Sequence, residues 1–280
     1  MSTAGPCKNA TSPINITTTV ARCKKICDYS FKYALSDCVL TNKGSYLDIK
    51  TTLLGNTVLF NNERMNVKEV RLYHPSLHTF NTSHVDAELV IHHIGGGHNL
   101  LVCIPINIAD GQSKSTDFFH SFLPYIPQNV GEKTTANVTN WSLNDIIPKA
   151  PYYFYQATAP YPPCTGVYNI IVFDKGTGVH MLRSDAKQLS VIKENKLDIH
   201  KVSDSGLYYN KTGTGTVADD IYIDCRPVGS SGEVEPEPVT EEKSPKSLKD
   251  LMENPLFSVL GGIIILITLK KMYNKILNAF

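Results

Sequence analysis

The feature that most constrains this chain is a recurrence of short stretches rich in β-branched and aromatic residues, each set between turn signals. "SYLDIKTTLL" (45–54), "VKEVRLYH" (67–74), "AELVIHH" (87–93), "LLVCIPINI" (100–108), "VYNIIVFD" (167–174) and "DIYIDC" (220–225) are all of strand length. Such side chains pack well on a pleated, buried surface. Helical periodicity is confined to "STDFFHSFLPYI" (115–126) and "RSDAKQLSVIKE" (183–194). The spacing predicts a mainly β domain, with a large central, mostly antiparallel sheet and a few short surface helices. Apolar residues are 42% of the 280 positions and charged residues 19%, which supports a packed core rather than disorder. Formal net charge is +1, so nothing in the overall charge argues for a nucleic-acid partner.

Residues 1–228 read as one globular unit. Composition then changes: "GSSGEVEPEPVTEEKSPKS" (229–247) is rich in Pro, Glu and Ser, and residues 229–250 are expected to form a polar linker. Residues 251–280 are expected to form a C-terminal membrane helix with a basic tail. Its uncharged run, Pro255–Leu269, includes Leu256, Phe257, Ile263, Ile264, Ile265 and Leu266, and Lys270 and Lys271 close it. The run is fifteen residues long, shorter than the roughly twenty a span needs. Lysine snorkelling and the apolar surface of "MYNKIL" lengthen it. The N-terminus, "MSTAGPCKNATS", carries no apolar signal region, so synthesis in the cytosol and later insertion of the tail are expected. The lysines of the tail favour the opposite orientation by the positive-inside rule, and orientation stays open. Sequons begin at Asn9, Asn15, Asn81, Asn137, Asn140 and Asn210, and without a signal segment they are expected to be chance matches.

Two residue types invite a metal reading. Seven cysteines stand at 7, 23, 27, 38, 103, 164 and 225, an odd number. Cys23-x3-Cys27 is wider than a CxxC pair and no second pair follows, so disulfides or buried thiols are favoured over a zinc knuckle. "AELVIHHIGGGHNLLV" (87–102) gathers Glu88, His92, His93 and His98, and histidine is a common metal ligand. Whether these side chains converge depends on strand register.

Three stretches in order resemble the α-carbonic anhydrases. "CKNATSPINI" (7–16) is similar to that family's opening. "SHVDAELVIHH" (83–93) is similar to its segment leading into the last zinc-binding strand. "DIIPKAPYYFYQATAPYPPCTGVYNIIVF" (145–173) is similar to its LLP…YWTY…TTPPC…VxW region, and "CRPV" (225–228) adds a weaker match. The resemblance covers most of residues 7–228 and implies an α-carbonic anhydrase-like fold. It also implies a disulfide between Cys7 and Cys164, which by loop length would be worth roughly 4–5 kcal/mol in the chain-entropy model.

In active members of the family, three histidines hold zinc and the fourth position carries water, whose lowered pKa supplies hydroxide for attack on CO2. Two of these ligands form a His-x-His pair on one strand, and strand residues two apart share a face. The resemblance places that pair at Leu72 and His74. It places the third ligand, two residues after Glu88, at Val90. Leucine and valine cannot bind a metal. His92 is about 6.6–6.8 Å farther along the strand than Val90. His93 is expected to be a hydrogen-bonded structural histidine, and His98 an exposed residue of a tight hairpin made by Gly95-Gly96-Gly97. Where the family has a threonine hydroxyl before its Pro-Pro pair, this chain has Pro160 and Tyr161. The acid that orients the threonine would fall near Ser83-His84, where no carboxylate stands. Neither a bound metal nor another cofactor is expected, and no catalytic residue is assigned.

A non-catalytic carbonic anhydrase-like head with a linker and a C-terminal anchor resembles, in architecture, the cell-surface-binding virion membrane proteins of poxviruses. The resemblance implies a virion membrane protein of a large DNA virus, in its internal membrane or envelope. Its expected partners are the membrane and capsid or other virion proteins, and its expected role is structural. The alternative is attachment to host glycosaminoglycan. A near-neutral domain weakens that alternative, and Arg22, Lys24 and Lys25 read as ordinary solvated charges. A working zinc enzyme is the remaining alternative.

Overall fold

The computed structural model describes residue 7 and residues 9–17, 27–51, 57–194, 197–201 and 206–216. The linker, the membrane residues Leu256, Phe257, Ile263, Ile264, Ile265, Leu266, Lys270 and Lys271, the "DIYIDC" strand and the basic residues Arg22, Lys24 and Lys25 lie outside the described residues. Among the described residues no helix is long and apolar enough to cross a membrane.

Among the described residues, nine strands form the main path of the sheet. They are β1 (Cys38–Asn42), β2 (Leu47–Lys50), β3 (Glu63–Tyr73), β4 (Ala87–Gly95), β5 (His98–Ala109), β6 (Lys133–Ala136), β7 (Tyr152–Ala157), β8 (Tyr168–Phe173) and β9 (Leu207–Asn210). They lie side by side in the order β6-β1-β2-β3-β4-β5-β8-β7-β9 within one large sheet. Neighbours are antiparallel except β5 and β8, which run parallel through five residue pairs from Asn99–Tyr168 to Cys103–Val172. His180–Leu182 also pairs in parallel with the far end of β5. The sheet is thus mostly antiparallel, as expected, and mixed through the parallel partners of β5. Strand direction depends on what connects the strands, and the residues of β8 carry no mark of it. A parallel pair needs a crossover, and here the chain returns only after α1 (Lys114–His120), β6 and β7. The second helical segment gives α2 (Arg183–Gln188).

Both faces of the sheet are covered. One face packs Leu72, Leu89, Ile91, Val102, Ile104 and Ile171 against Phe118, Phe122 and Trp141. The other packs Tyr73, Val90, Leu101, Cys103, Tyr155 and Val172. Ala87–His93 is buried throughout, so the strand reads as a continuous run and not as a half-buried alternation. A disulfide joins Cys7 to Cys164, with Cα atoms 5.7 Å apart, as the resemblance implied. Cys38 and Cys103 are buried free thiols, and burial pushes the Cys38 thiol up to about 12.

The hairpin between β4 and β5 is as tight as the glycine run requires. Gly95 pairs with His98, and Gly96 and Gly97 take φ of +56° and +80° between them. Two successive left-handed residues make the turn that matches the twist of adjoining strands. A Cβ built on Gly95 would lie 2.1 Å from the Arg64 carbonyl oxygen on β3. Gly95→Ala is therefore expected to cost about 1–3 kcal/mol through overpacking against backbone. Urea denaturation of the variant measures it, and an unchanged midpoint would show that the β3–β4 approach is not this close.

Candidate functional site

Cross-strand partners in a sheet project to the same face. On β3 and β4, Glu69 stands opposite His92, Arg71 opposite Val90 and Tyr73 opposite Glu88. On β5, Cys103 stands opposite Val90. These residues share one face. Leu72 pairs with Leu89 and packs in the other layer. The expected metal positions Leu72 and His74 are therefore corrected. Leu72 faces away from Val90, and His74 lies just past the end of β3, half-buried, with Nδ1–H donating to the Asp86 carbonyl at 2.7 Å. The β3 residues that share Val90's face are Arg71 and Tyr73, one position earlier in each case. A one-residue change of register moves a strand's whole set of side chains to the opposite face.

Arg71 organises the face. Its Nη2 donates to Glu69 Oε2 at 2.8 Å and its Nη1 to the Tyr73 hydroxyl at 3.2 Å. The guanidinium carbon lies 3.7 Å from the ring centroid of Tyr161 and 4.5 Å from that of Tyr46, a double cation–π arrangement. Burial alone would lower the pKa of this guanidinium, but Tyr73, Tyr161 and Glu69 outweigh burial and raise it. Burial would likewise raise the Glu69 carboxyl. The hydrogen bond from His92 and the Arg71 charge outweigh that and hold it at about 2. His92 Nδ1 lies 3.1 Å from Glu69 Oε1 and Nε2 lies 3.1 Å from Asn99 Oδ1.

Glu88 anchors a second network deeper on the same face. It accepts the His78 backbone N–H at 2.9 Å and His78 Nδ1–H at 2.6 Å, while His78 Nε2 accepts the Tyr155 hydroxyl at 2.7 Å. The Cys103 thiol also donates to Glu88. Burial opposes ionisation of Glu88, but the charge and hydrogen bonds of His78 prevail and hold the Glu88 carboxyl below the usual carboxylate range. Burial, reinforced by the Glu88 charge, pushes the Cys103 thiol well up. Donor atoms of His78, Glu88 and Cys103 lie within 4.8 Å of one another, a spacing a metal ion could bridge. Binding one would require the thiolate and a free imidazole nitrogen, whereas both nitrogens of His78 are already engaged. The chemistry of this set is that of a closed hydrogen-bond network.

The remaining predicted residues fall elsewhere. His93 points into the opposite layer and its Nε2 bonds the Tyr33 hydroxyl at 2.6 Å, with Tyr29 continuing the chain at 2.8 Å. His98 is 57% exposed beside Glu63. Pro160 and Tyr161 are buried immediately before Pro162-Pro163. Ser83 and His84, expected near the lost orienting acid, are exposed on the small hairpin that Thr79–Phe80 and Ser83–His84 form.

The metal implied by the fold requires three nitrogen donors converging on this face. Val90 offers no lone pair. Tyr73 is buried, and burial raises its hydroxyl pKa despite Arg71. Arg71 is a cation that repels another. These residues do not fit zinc. Sequence reasoning missed Arg71, Glu69, Tyr73, His78 and Tyr155. One signal was present for the first two: "KEVRLY" puts Glu69 and Arg71 two apart within a strand flanked by apolar residues.

No protein-family model and no curated protein matches the chain. Solved structures do. The α-carbonic anhydrase of Thermovibrio ammonificans, in complex with sulfanilamide, aligns with TM-score 0.62 at 19% identity over 71% of this chain and 86% of that one. The α-carbonic anhydrase of Photobacterium profundum aligns with TM-score 0.62 at 15% identity over 72% and 89%. Dioscorin in complex with ascorbate aligns with TM-score 0.59 at 19% identity over 73% and 87%. The fold of this chain is that of the α-carbonic anhydrases.

The buried titrating groups set an acid limit on stability. Burial, then the nearby His92, lowers the His93 pKa from 6.5 to about 3, so the unfolded chain takes up a proton that the folded chain refuses across that window. Glu69 is depressed from 4.5 to about 2, so its contribution is present above 4.5 and is lost as pH falls toward 2. Stability is expected to drop steadily on acidification from neutral pH. His93→Gln should flatten the upper part of that fall and Glu69→Gln the lower part, in urea midpoints taken against pH. A wild-type midpoint constant down to pH about 3 would contradict both assignments.

Proposed function

We propose that the chain is a non-catalytic carbonic anhydrase-like protein that works through its surface. The observation that carries this reading is that Arg71, Tyr73 and Val90 share the face on which three nitrogen donors would have to converge, and none of the three is a histidine. A second feature agrees with it. Pro160 stands ahead of Pro162-Pro163 where the family resemblance implies a threonine hydroxyl, and proline has none to accept a hydrogen bond from bound hydroxide. Without metal-bound hydroxide and its hydrogen-bond acceptor, the hydration of CO2 has neither nucleophile nor orientation.

On the architecture inferred from sequence, the domain is carried by a polar linker and a C-terminal anchor in the virion membrane of a large DNA virus. Its role there is structural, between an internal membrane and the capsid. Attachment to host glycosaminoglycan is the second reading. The Cys7–Cys164 disulfide favours it, because disulfides persist on surfaces facing an oxidising exterior.

The full-length chain is expected to carry less than a tenth of an equivalent of zinc by elemental analysis, and no CO2 hydration above the uncatalysed rate. One equivalent of zinc together with activity would overturn the non-catalytic reading. An image of the intact particle with the domain buried against capsid subunits supports the structural role. Retention on heparin that weakens steeply with salt, with the domain exposed, replaces that role with attachment.

A further inference from the structure

We propose that the Arg71 guanidinium is the resident cation of this face: it stands where the fold would place a metal and performs the electrostatic part of the metal's work. The proposal rests on the non-catalytic reading above and says what took over the position. Arg71 is the β3 partner of Val90, the residue at the third ligand position, so its side chain leaves the sheet at the centre of the face. It is enclosed there, with only 12% of its side chain exposed. Its surroundings come from several segments that meet at this point: Glu69 and Tyr73 from β3, Tyr46 from the bend just before β2, and Tyr161 from the segment before Pro162-Pro163. Glu69 in turn holds His92 on β4.

A charge buried to this degree requires compensation. The guanidinium has a carboxylate on one nitrogen, a hydroxyl on another and an aromatic ring at 3.7 Å. Removing one member of such a set leaves the other charges buried and uncompensated, which costs far more than the intact set contributes. The arrangement also excludes a metal, because a divalent ion in the same space would meet a fixed positive charge. Arginine suits this role better than lysine. It stays ionised at any accessible pH, and its flat surface stacks on tyrosine.

One detail separates the charge from the stacking. The Tyr161 hydroxyl is buried and has no hydrogen-bond partner among the described residues. The ring of Tyr161 therefore stacks on the guanidinium, while its hydroxyl adds no hydrogen bond to the set.

The test uses the full-length chain with zinc sulfate or EDTA, and the variants Arg71→Met, Tyr161→Phe and R71H/Y73H/V90H. Wild-type stability should be the same in zinc and in EDTA. Arg71→Met keeps much of the volume and loses the charge, and should lower the folding equilibrium constant on the order of a hundredfold. Tyr161→Phe keeps the ring and should stay within about threefold of wild type, because the buried hydroxyl it removes has no hydrogen bond to lose. The triple variant should be weakened in EDTA, bind one zinc per chain and regain stability when it does. An Arg71→Met variant as stable as wild type overturns the proposal, as does a folded triple variant that takes up no zinc. Should the triple variant fold in neither condition, Arg71→Met decides alone. These failures leave the non-catalytic reading standing. Stoichiometric zinc with CO2 hydration in the wild type would instead remove that reading itself.

Discussion

The pairing of β3 with β4 at the centre of a sheet buried on both sides is the constraint on which the rest of the domain depends. Every residue from Ala87 to His93 is buried, so neither face of β4 has a solvent side to tolerate an error. A slip of one residue would exchange Val90, His92 and Glu88 with Leu89, Ile91 and His93 and ruin both layers. The register that results sets Arg71 against Val90 and Glu69 against His92. It also leaves a shift between Val67 and Glu69, which skips Lys68, so the two parts of β3 meet β4 in different phases.

That register carries charge into the interior, and the interior accommodates it by local pairing of the charged groups. Glu69 lies between Arg71 and His92. Glu88 takes the backbone and ring of His78, and Tyr155 closes the ring's other side. Across the sheet, His93 is held neutral by burial and bonded to Tyr33. These sets differ in kind. The Glu88 set is satisfied by hydrogen bonds within a dry layer. The Arg71 set depends on charge balance and aromatic faces, and it sits where the fold's catalytic relatives would require metal donors. Catalysis by such a fold depends on a vacant position opposite converging nitrogens. On the proposal made above, Arg71 takes that position, and a guanidinium cannot bind zinc.

Much of this was legible in the chain itself. The strand-length apolar runs became β3, β4, β5 and β8, and the two helical patterns became α1 and α2. The Cys7–Cys164 bond was implied by family resemblance, as was the tight turn at Gly96-Gly97 by composition. The face that carries Arg71 was legible only in part. Val90 lies on it and Leu72 does not, because β3 carries apolar residues on both faces and alternation cannot reveal which set faces which layer. The bulge at Lys68 removed any phase carried over from the start of the strand. His78 and Tyr155 were invisible for a different reason: they are 77 residues apart in sequence and meet only through the fold.

The sequence by itself determined the kind of domain and the absence of a nitrogen donor at Val90, because residue identity alone forbids valine from binding a metal. It also determined that proline, lacking a hydroxyl, stands before Pro162-Pro163. Tertiary structure decided what stands opposite Val90. Arg71 stands there because strand pairing, not spacing along the chain, fixes which side chains share a face, and because Tyr46, Tyr73 and Tyr161 arrive from separate segments to enclose its charge.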